Sequence, residues 1–364
     1  MPRSVCLVGH LMLPLLTGGD EPVVGGAEVQ SFHLAAELQR RGWKTSFLVC
    51  SLDGTAAGTV QPTPFGPAHI LYPRHPAKSP AVKLQEKRAL FAAVRHCDAD
   101  LVFQRAVWDA DVAALAARRN RVPYVYSLAS DRDALRLPFL SRRRNVLRWA
   151  TAVAAQSDVQ RDWVRRYGRD AVVIPTGFPV PAWRDSTRDT VLWVGTLRAL
   201  KRPDLFLDLA AEHPDWRFVL CGGPGEDSRL AEHIAARAAR LPNVQATGFV
   251  PYARMSEFFA RARVVVNTSE YEGFPNTFVL AWLHGAVVLS LGVDPDGWLG
   301  RGGLGAVARD APGLSALVRR ALTDDAWTQA TIQRARQHAE RVHDIQSVAT
   351  AFEALFESAL RNHG

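Results

Sequence analysis

The stretch SEYEGFPNTFVLAWLHGAVVLSL, residues 269–291, combines a carboxylate, a Gly-Phe-Pro-Asn turn, an apolar helix and a buried strand in one run. Glu272 directly precedes Gly273, Phe274, Pro275 and Asn276, and Thr277 to Trp282 reads as the first turns of a mostly apolar helix. The first four N–H groups of a helix lack intrahelical partners and sit at the positive end of its dipole, so such a start receives anionic or hydroxyl-rich ligands. Ala286 to Ser290 then reads as a short buried strand.

Working outward, Val191–Val194, Arg217–Cys221, Val244–Gly248, Ala262–Asn267 and Val287–Ser290 are five strand-like runs with helical segments between them. The first half shows the same alternation. Val5–Gly9 leads into a Gly/Pro-rich loop reaching Gly26, a helix over about Ala27–Arg41 follows, and Thr45–Cys50 is the next strand. Leu101–Phe103 and Tyr124–Leu128 flank a helical run, Asp109–Arg119, and further strands are expected near Ala155 and over Val172–Gly177. Around Phe178–Asp189 the chain turns Pro-rich and polar, as a linker does. Strands alternating with helices predict parallel sheets with both faces covered. The expected domains are therefore residues 1–180 and 190–340, each Rossmann-like, facing one another across a cleft, with ligands outside the carboxyl ends of the strands.

A length of 364 residues suits two domains of roughly 100 to 200 residues each. With 48% hydrophobic and 22% charged residues, the composition is globular. No apolar run approaches the roughly 20 residues of a membrane span, and the segment Met1–Gly9 lacks a signal peptide's long apolar region, reading instead as the first strand. Cys6, Cys50, Cys97 and Cys221 are widely separated, with no C-x-x-C pair, which predicts reduced thiols in a cytoplasmic protein. The charge of +8 comes almost wholly from arginine. Arg40-Arg41, Arg118-Arg119-Asn120-Arg121 and Arg142-Arg143-Arg144 are either solvated helix faces or a weak contact with an anionic membrane surface. Neither a helix-turn-helix nor an aromatic RNA-binding pattern is present, so no nucleic-acid partner is expected.

Several groups fall at strand ends. Gly25 and Gly26, in GGAE after the first strand, allow close backbone approach, although an ordinary surface loop is an equal reading. Gly195 ends a strand, and Arg198 and Lys201 follow in a basic loop before Pro203 opens a helix; cations there are placed to neutralise a diphosphate. Gly222 and Gly223 form a glycine turn after Cys221. Gln104-Arg105 and Ser130-Asp131 follow strands of the first half, with a buried Arg–Asp pair as the structural alternative. His10, at the end of the first strand, is either a partner of a ligand hydroxyl or a satisfied structural histidine.

The combination of motifs resembles glycosyltransferase family 4, whose enzymes have the α/β GT-B fold and act with retention of anomeric configuration. The Glu272–Asn276 run resembles the family's donor-sugar motif, in which a second glutamate comes eight positions after the first; here that position is Leu280. Lys201 matches the family's phosphate-binding lysine, while Thr196 stands where an arginine is usual and Arg198 lies two residues on. The resemblance implies that Gly25 and Gly26 lie beside the transferring sugar and that Gly195, Gly222 and Gly223 pass close to the nucleotide diphosphate. It implies that Phe249 and Val250 adjoin the base, and that Glu272, Gly273, Phe274, Pro275, Asn276 and Thr277 hold the sugar. A Gln-Arg pair and a Ser-Asp pair occur in a subgroup of the family, which puts His10, Gln104 and Asp131 on the acceptor side and Arg105 near an acceptor or the donor phosphate. The last segment, 341–364, is expected to cross back to the first domain as in other GT-B enzymes.

The expected activity is transfer of a sugar from a UDP- or GDP-linked donor to a glycan, lipid-linked or small-molecule acceptor, in bacterial glycan, polysaccharide or glycolipid synthesis. The nucleotide sugar is a co-substrate; neither a cofactor nor a metal is implied, since no acidic D-x-D pair is evident. The expected location is cytoplasmic, peripheral to the inner membrane face. A noncatalytic GT-B module, binding glycan or serving in a transferase complex, is the alternative.

Overall fold

The computed structural model describes residues 3–19, 25–74, 79–106, 108–130, 142–183, 187–225 and 227–362. Asp131 lies outside the described residues, as do the side chains of the Arg142-Arg143-Arg144 cluster. The chain divides into two compact units, Met1–Pro179 with Ile345–Gly364, and Val180–Asp344.

Unit 1 is built on an eight-stranded sheet of β1 (Ser4–Val8), β2 (Lys44–Ser51), β3 (Val60–Gln61), β4 (Ala68–Pro73), β5 (Leu101–Arg105), β6 (Tyr124–Ser127), β7 (Ala152–Ala155) and β8 (Val172–Val173). Its order is β3-β4-β2-β1-β5-β6-β7-β8, parallel throughout except for the antiparallel β3–β4 pair at one edge. Alternate residues feed two cores. Val5, Leu7, Phe47, Val49, Leu101 and Phe103 pack into one, while Cys6, Val8, Leu48, Cys50 and Val102 pack into the other. Burial on both faces explains why these strands read as unbroken apolar runs.

The helix Gly26–Arg40 and the final helix Ile345–Arg361 cover the first of these faces. Phe352 and Phe356 place their ring centroids 5.4 and 5.5 Å from that of Phe103, and Phe356 lies 5.8 Å from Trp43. A polar clamp ties the same edge. Arg41 donates to Glu37 at 3.0 Å and Glu353 at 2.6 Å, and the Trp43 indole N–H donates to the other Glu353 oxygen at 2.8 Å.

Unit 2 has a six-stranded parallel sheet of β9 (Thr190–Val194), β10 (Arg217–Cys221), β11 (Val244–Gly248), β12 (Ala262–Asn267), β13 (Val287–Leu291) and β14 (Gly305–Ala308), ordered β11-β10-β9-β12-β13-β14. Both units are thus Rossmann-like. In each sheet the strand order reverses once, between β1 and β5 and between β9 and β12, and such switch points are where open parallel sheets take ligands.

Five elements differ from the sequence reading. The loop after β1 contains a short helix, Leu13–Thr17, opened by Pro14 and closed by left-handed Gly18. The β3–β4 hairpin and the helix Pro80–His96 occupy a stretch the sequence reading left unassigned, where prolines and glycines interrupt the apolar runs. β14 reads only Gly-Ala-Val-Ala, too weak a run to stand out, and forms because Val288–Leu291 offers an open parallel edge. Among the described residues no helix is long and apolar enough to cross a membrane.

Candidate functional site

In unit 2 the loops after β9 and β12 are laced together at the switch point. After Gly195 the chain runs through Leu197, whose N–H donates to the Gly223 carbonyl at 2.9 Å, and through a turn of 3-10 helix, Ala199–Lys201. Arg202 then adopts a left-handed backbone, φ 47° and ψ 55°, which lets Pro203 start the helix Pro203–Glu212. That conformation costs a non-glycine residue on the order of 1 kcal/mol. Its guanidinium offsets the cost by donating to the Thr268 carbonyl at 2.6 Å and the Ser269 carbonyl at 3.2 Å. Thr268 returns a bond, its hydroxyl donating to the Lys201 carbonyl at 2.6 Å while accepting from the Trp193 indole at 3.0 Å.

These ties bring Lys201 against Glu272. The ammonium and the carboxylate pair at Oε1, which also accepts from the Ser269 hydroxyl at 2.7 Å. The Lys201 and Glu272 side chains keep 26% and 15% of their exposure, so both remain reachable from solvent. Oε2 makes no hydrogen bond among the described residues. Ser269 is fixed from below through Asn267, whose side chain accepts from the Ser269 N–H at 3.2 Å and from the Ser290 hydroxyl at 3.4 Å.

The EGFPN turn opens the helix Asn276–His284, whose N-cap, Pro275, supplies no side-chain bond to the first N–H groups. Phe274 points its ring inward, 5.2 Å from His343 and 6.2 Å from Trp282, and is 7% exposed. Its ring therefore anchors the turn, while Glu272, Gly273, Asn276 and Thr277 remain partly exposed. Leu280 lies half-buried on the same helix.

Close backbone approach governs the glycines. A Cβ at Gly222 would fall 2.5 Å from the Gly195 carbonyl oxygen, and one at Gly223 would fall 3.0 Å from the Phe249 Cβ. Gly195, Gly222, Gly223 and Phe249, which the sequence reading expects at the nucleotide, are thus one cluster, with Val250 adjoining and half-exposed. Arg198 is exposed and runs beside Gly225.

Unit 1 holds a small pocket, open to solvent, at the carboxyl ends of β1 and β5. His10, Glu28, Ser31, Gln104, Arg105 and Trp108 supply its polar and aromatic lining. Gly25 is the N-cap of the helix Gly26–Arg40, and the Glu28 carboxylate folds back on the Gly25 and Glu28 N–H groups. Burial raises the Glu28 carboxyl above the usual carboxylate range, with those two N–H groups pulling the other way. Gln104 is held at both ends, accepting from the Tyr124 hydroxyl at 2.9 Å and donating to the Trp108 carbonyl at 2.6 Å. Arg105 is 7% exposed and contributes to the lining.

Sequence reasoning missed Ser269, Arg202, Glu28 and Trp108 as parts of these sites. Glu28 stands in the GGAE run and Ser269 begins the stretch quoted first, so position alone flagged both. Trp108 carried no signal, because its placement depends on left-handed Ala106 (φ 75°) and Asp109 (φ 39°) on either side of it.

Comparison with known proteins gives the family type and the fold. Residues 24–180 match the profile described as Glycosyltransferase Family 4, and residues 188–324 match Glycosyl transferases group 1. A D-inositol 3-phosphate glycosyltransferase of Mycolicibacterium paratuberculosis is 28% identical over 203 residues, 55% of this chain and 42% of that protein. The protein of the same name from Acidothermus cellulolyticus is 38% identical over 96 residues, 23% of this chain and 21% of its own. The chain thus spans less than half the length of these curated relatives in the matched regions. Among solved structures, Anabaena HepE in complex with UDP and glucose superposes with a TM-score of 0.76 at 18% identity, covering 98% of this chain and 100% of that one. Sucrose-phosphate synthase from Thermosynechococcus elongatus gives 0.75 at 17%, covering 98% of each chain. At these identities the structural likeness establishes the fold, which is GT-B.

Proposed function

This chain carries the domain pair of the family 4 type of glycosyltransferase, and from that premise we propose that it transfers a sugar from a nucleotide diphosphate sugar to an acceptor hydroxyl with retention of configuration. The observation that carries the reading is the Lys201–Glu272 pair at the β9/β12 switch point, beside the uncapped start of the helix Asn276–His284. In the reaction the bond from the anomeric carbon to the diphosphate oxygen breaks, and the acceptor oxygen bonds to that carbon. The acceptor's proton leaves with the departing phosphate. Lys201, Arg198 and the N–H groups at the helix start stabilise the charge growing on the leaving group, a task that needs preorganised donors. Glu272 Oε2 and the Gly273 backbone hold sugar hydroxyls; Gly195, Gly222, Gly223, Phe249 and Val250 receive the nucleotide. The reading calls on no cofactor and no metal.

In unit 1, Gly25 and Gly26 face the sugar, and His10, Gln104, Arg105 and Asp131 serve the acceptor. HepE, a structural neighbour, binds UDP and glucose, which favours a UDP-linked donor. The curated relatives are named for D-inositol 3-phosphate, so phosphorylated cyclitols join glycans and lipid-linked sugars among the acceptors to screen. We place the enzyme in bacterial glycan or glycolipid synthesis at the cytoplasmic face of the membrane, and flotation with anionic vesicles tests that contact.

Leu280 favours a second reading, a noncatalytic module, because leucine cannot accept the ribose hydrogen bonds that a glutamate would. A thermal-shift screen of UDP- and GDP-sugars followed by mass spectrometry of products separates the two. Stabilisation by one donor class and a product heavier by one sugar support the enzyme. Calorimetry showing no donor bound would leave the module.

A further inference from the structure

His10 is held more tightly than a strand-end histidine needs to be. Its carbonyl accepts from the Cys50 N–H at 3.0 Å, and its Nδ1 lies 2.9 Å from the Cys50 sulfur, so one residue of β2 grips both backbone and ring. The Trp108 indole covers the imidazole with ring centroids 3.9 Å apart, and Tyr72 closes a third side at 6.0 Å. Trp108 is itself fixed by Gln104, and Asp109 beside it pairs with Lys87 at 3.1 Å. Two left-handed residues within four, neither of them glycine, cost on the order of 1 kcal/mol or more each, and strain of this kind persists where the surroundings over-determine it.

We infer that Cys50 and Trp108 are positioning residues for His10, fixing it as the tautomer protonated on Nε2, so that it meets the acceptor in the β1/β5 pocket as a hydrogen-bond donor. The inference rests on reading unit 1 as the acceptor side. The chemistry of the pair sets the direction of the bond. A thiol donates to an imidazole nitrogen more readily than sulfur accepts from a ring N–H, sulfur being a weak acceptor. With Nδ1 accepting from Cys50, the single proton of the neutral ring resides on Nε2, since the bond at one nitrogen decides the state of the other. Burial, with the Cys50 thiol beside it, pushes the Tyr72 hydroxyl far above its ordinary range, so Tyr72 stays protonated and does not compete for the thiol's proton. A ring held this way cannot take the attacking hydroxyl's proton. It orients an oxygen and leaves the proton to pass to the departing phosphate, in keeping with the transfer described above.

The test is long-range ¹H–¹⁵N correlation on the full chain labelled with ¹⁵N-histidine, the His10 signals being assigned with His10→Gln. The expected wild-type spectrum shows Nδ1 unprotonated and Nε2 protonated at neutral pH. Cys50→Ser keeps this pattern because its hydroxyl still donates, whereas Cys50→Ala averages the two nitrogens. Trp108→Ala keeps the tautomer but moves the ring protons downfield as the indole's ring current is lost. Hydrolysis of UDP-glucose and GDP-mannose is followed on the same samples, where Cys50→Ala lowers turnover roughly tenfold and Cys50→Ser restores it. A proton on Nδ1 in the wild type, or a His10 spectrum indifferent to Cys50→Ala, overturns the inference. If neither sugar nucleotide is turned over or bound by the wild type, the enzymatic reading fails instead, and the tautomer is still decided by the spectrum.

Discussion

Lys201 and Glu272, 71 positions apart in the chain, share an ion pair across the β9/β12 switch point, and Ser269 donates to the same carboxylate oxygen. The pair is only partly withdrawn from water, so its contribution to folding is at most about 1 kcal/mol. Its contribution to transfer is expected to be much larger. Lys201→Ala should lower turnover by about 10²-fold, the size of one lost preorganised donor, while the melting temperature moves by only a few degrees. Glu272→Gln should weaken donor binding by about tenfold with a similarly small thermal effect. Calorimetry and differential scanning on the same preparations separate the two quantities, and a large loss of stability in either variant would move the pair from the site to the scaffold.

Leu280→Glu is a gain-of-contact prediction. A carboxylate at this half-buried helix position would accept from the donor's ribose hydroxyls, and a recovered hydrogen bond is worth roughly 1 to 1.5 kcal/mol. Donor affinity should therefore rise about tenfold by calorimetry. No gain would show that the nucleotide lies away from this helix face.

His33 makes stability depend on pH. Its ring is buried in the helix Gly26–Arg40 beside Phe32 and Phe178, and burial lowers its pKa to about 4. The unfolded chain binds this proton near pH 6.5 and the folded one only near 4, so stability is intact above about 6.5 and falls as pH drops toward 4. The loss approaches about 3 kcal/mol from this group. Melting curves of unit 1 against pH should show that slope, and His33→Phe should flatten it.

Phe356→Ala should cost about 3 to 5 kcal/mol, the usual result of emptying a fully buried aromatic site. The ring is 0% exposed and touches both Phe103 and Trp43. Chemical denaturation followed by tryptophan fluorescence should show an earlier transition for unit 1, with the unit 2 transition in place.

The central strands of both units were legible because each alternates between two buried faces, leaving uninterrupted apolar runs such as Val264–Val266 and Val287–Leu289. β14 was not, since its four small residues carry little apolar weight and depend on β13 for their pairing. The EGFPN turn and the basic loop could be read from residue types at fixed offsets. Their junction could not, because it depends on Arg202 taking a left-handed backbone and reaching the Thr268 and Ser269 carbonyls, and nothing local in Leu-Lys-Arg-Pro announces either event. Phe274 was named for its backbone, and the inward turn of its ring against Trp282 and His343 could not be read from the motif.

Unit 1 is discontinuous, its last helix arriving after the whole of Val180–Asp344. During synthesis the second unit is therefore complete, as one unbroken segment, before the first can cover Phe103 and Trp43. The order in which the two become able to fold is the reverse of the order in which they begin. Residues 180–344 can be cut out as a single piece, whereas unit 1 can be isolated only by joining residues 1–179 to 345–364.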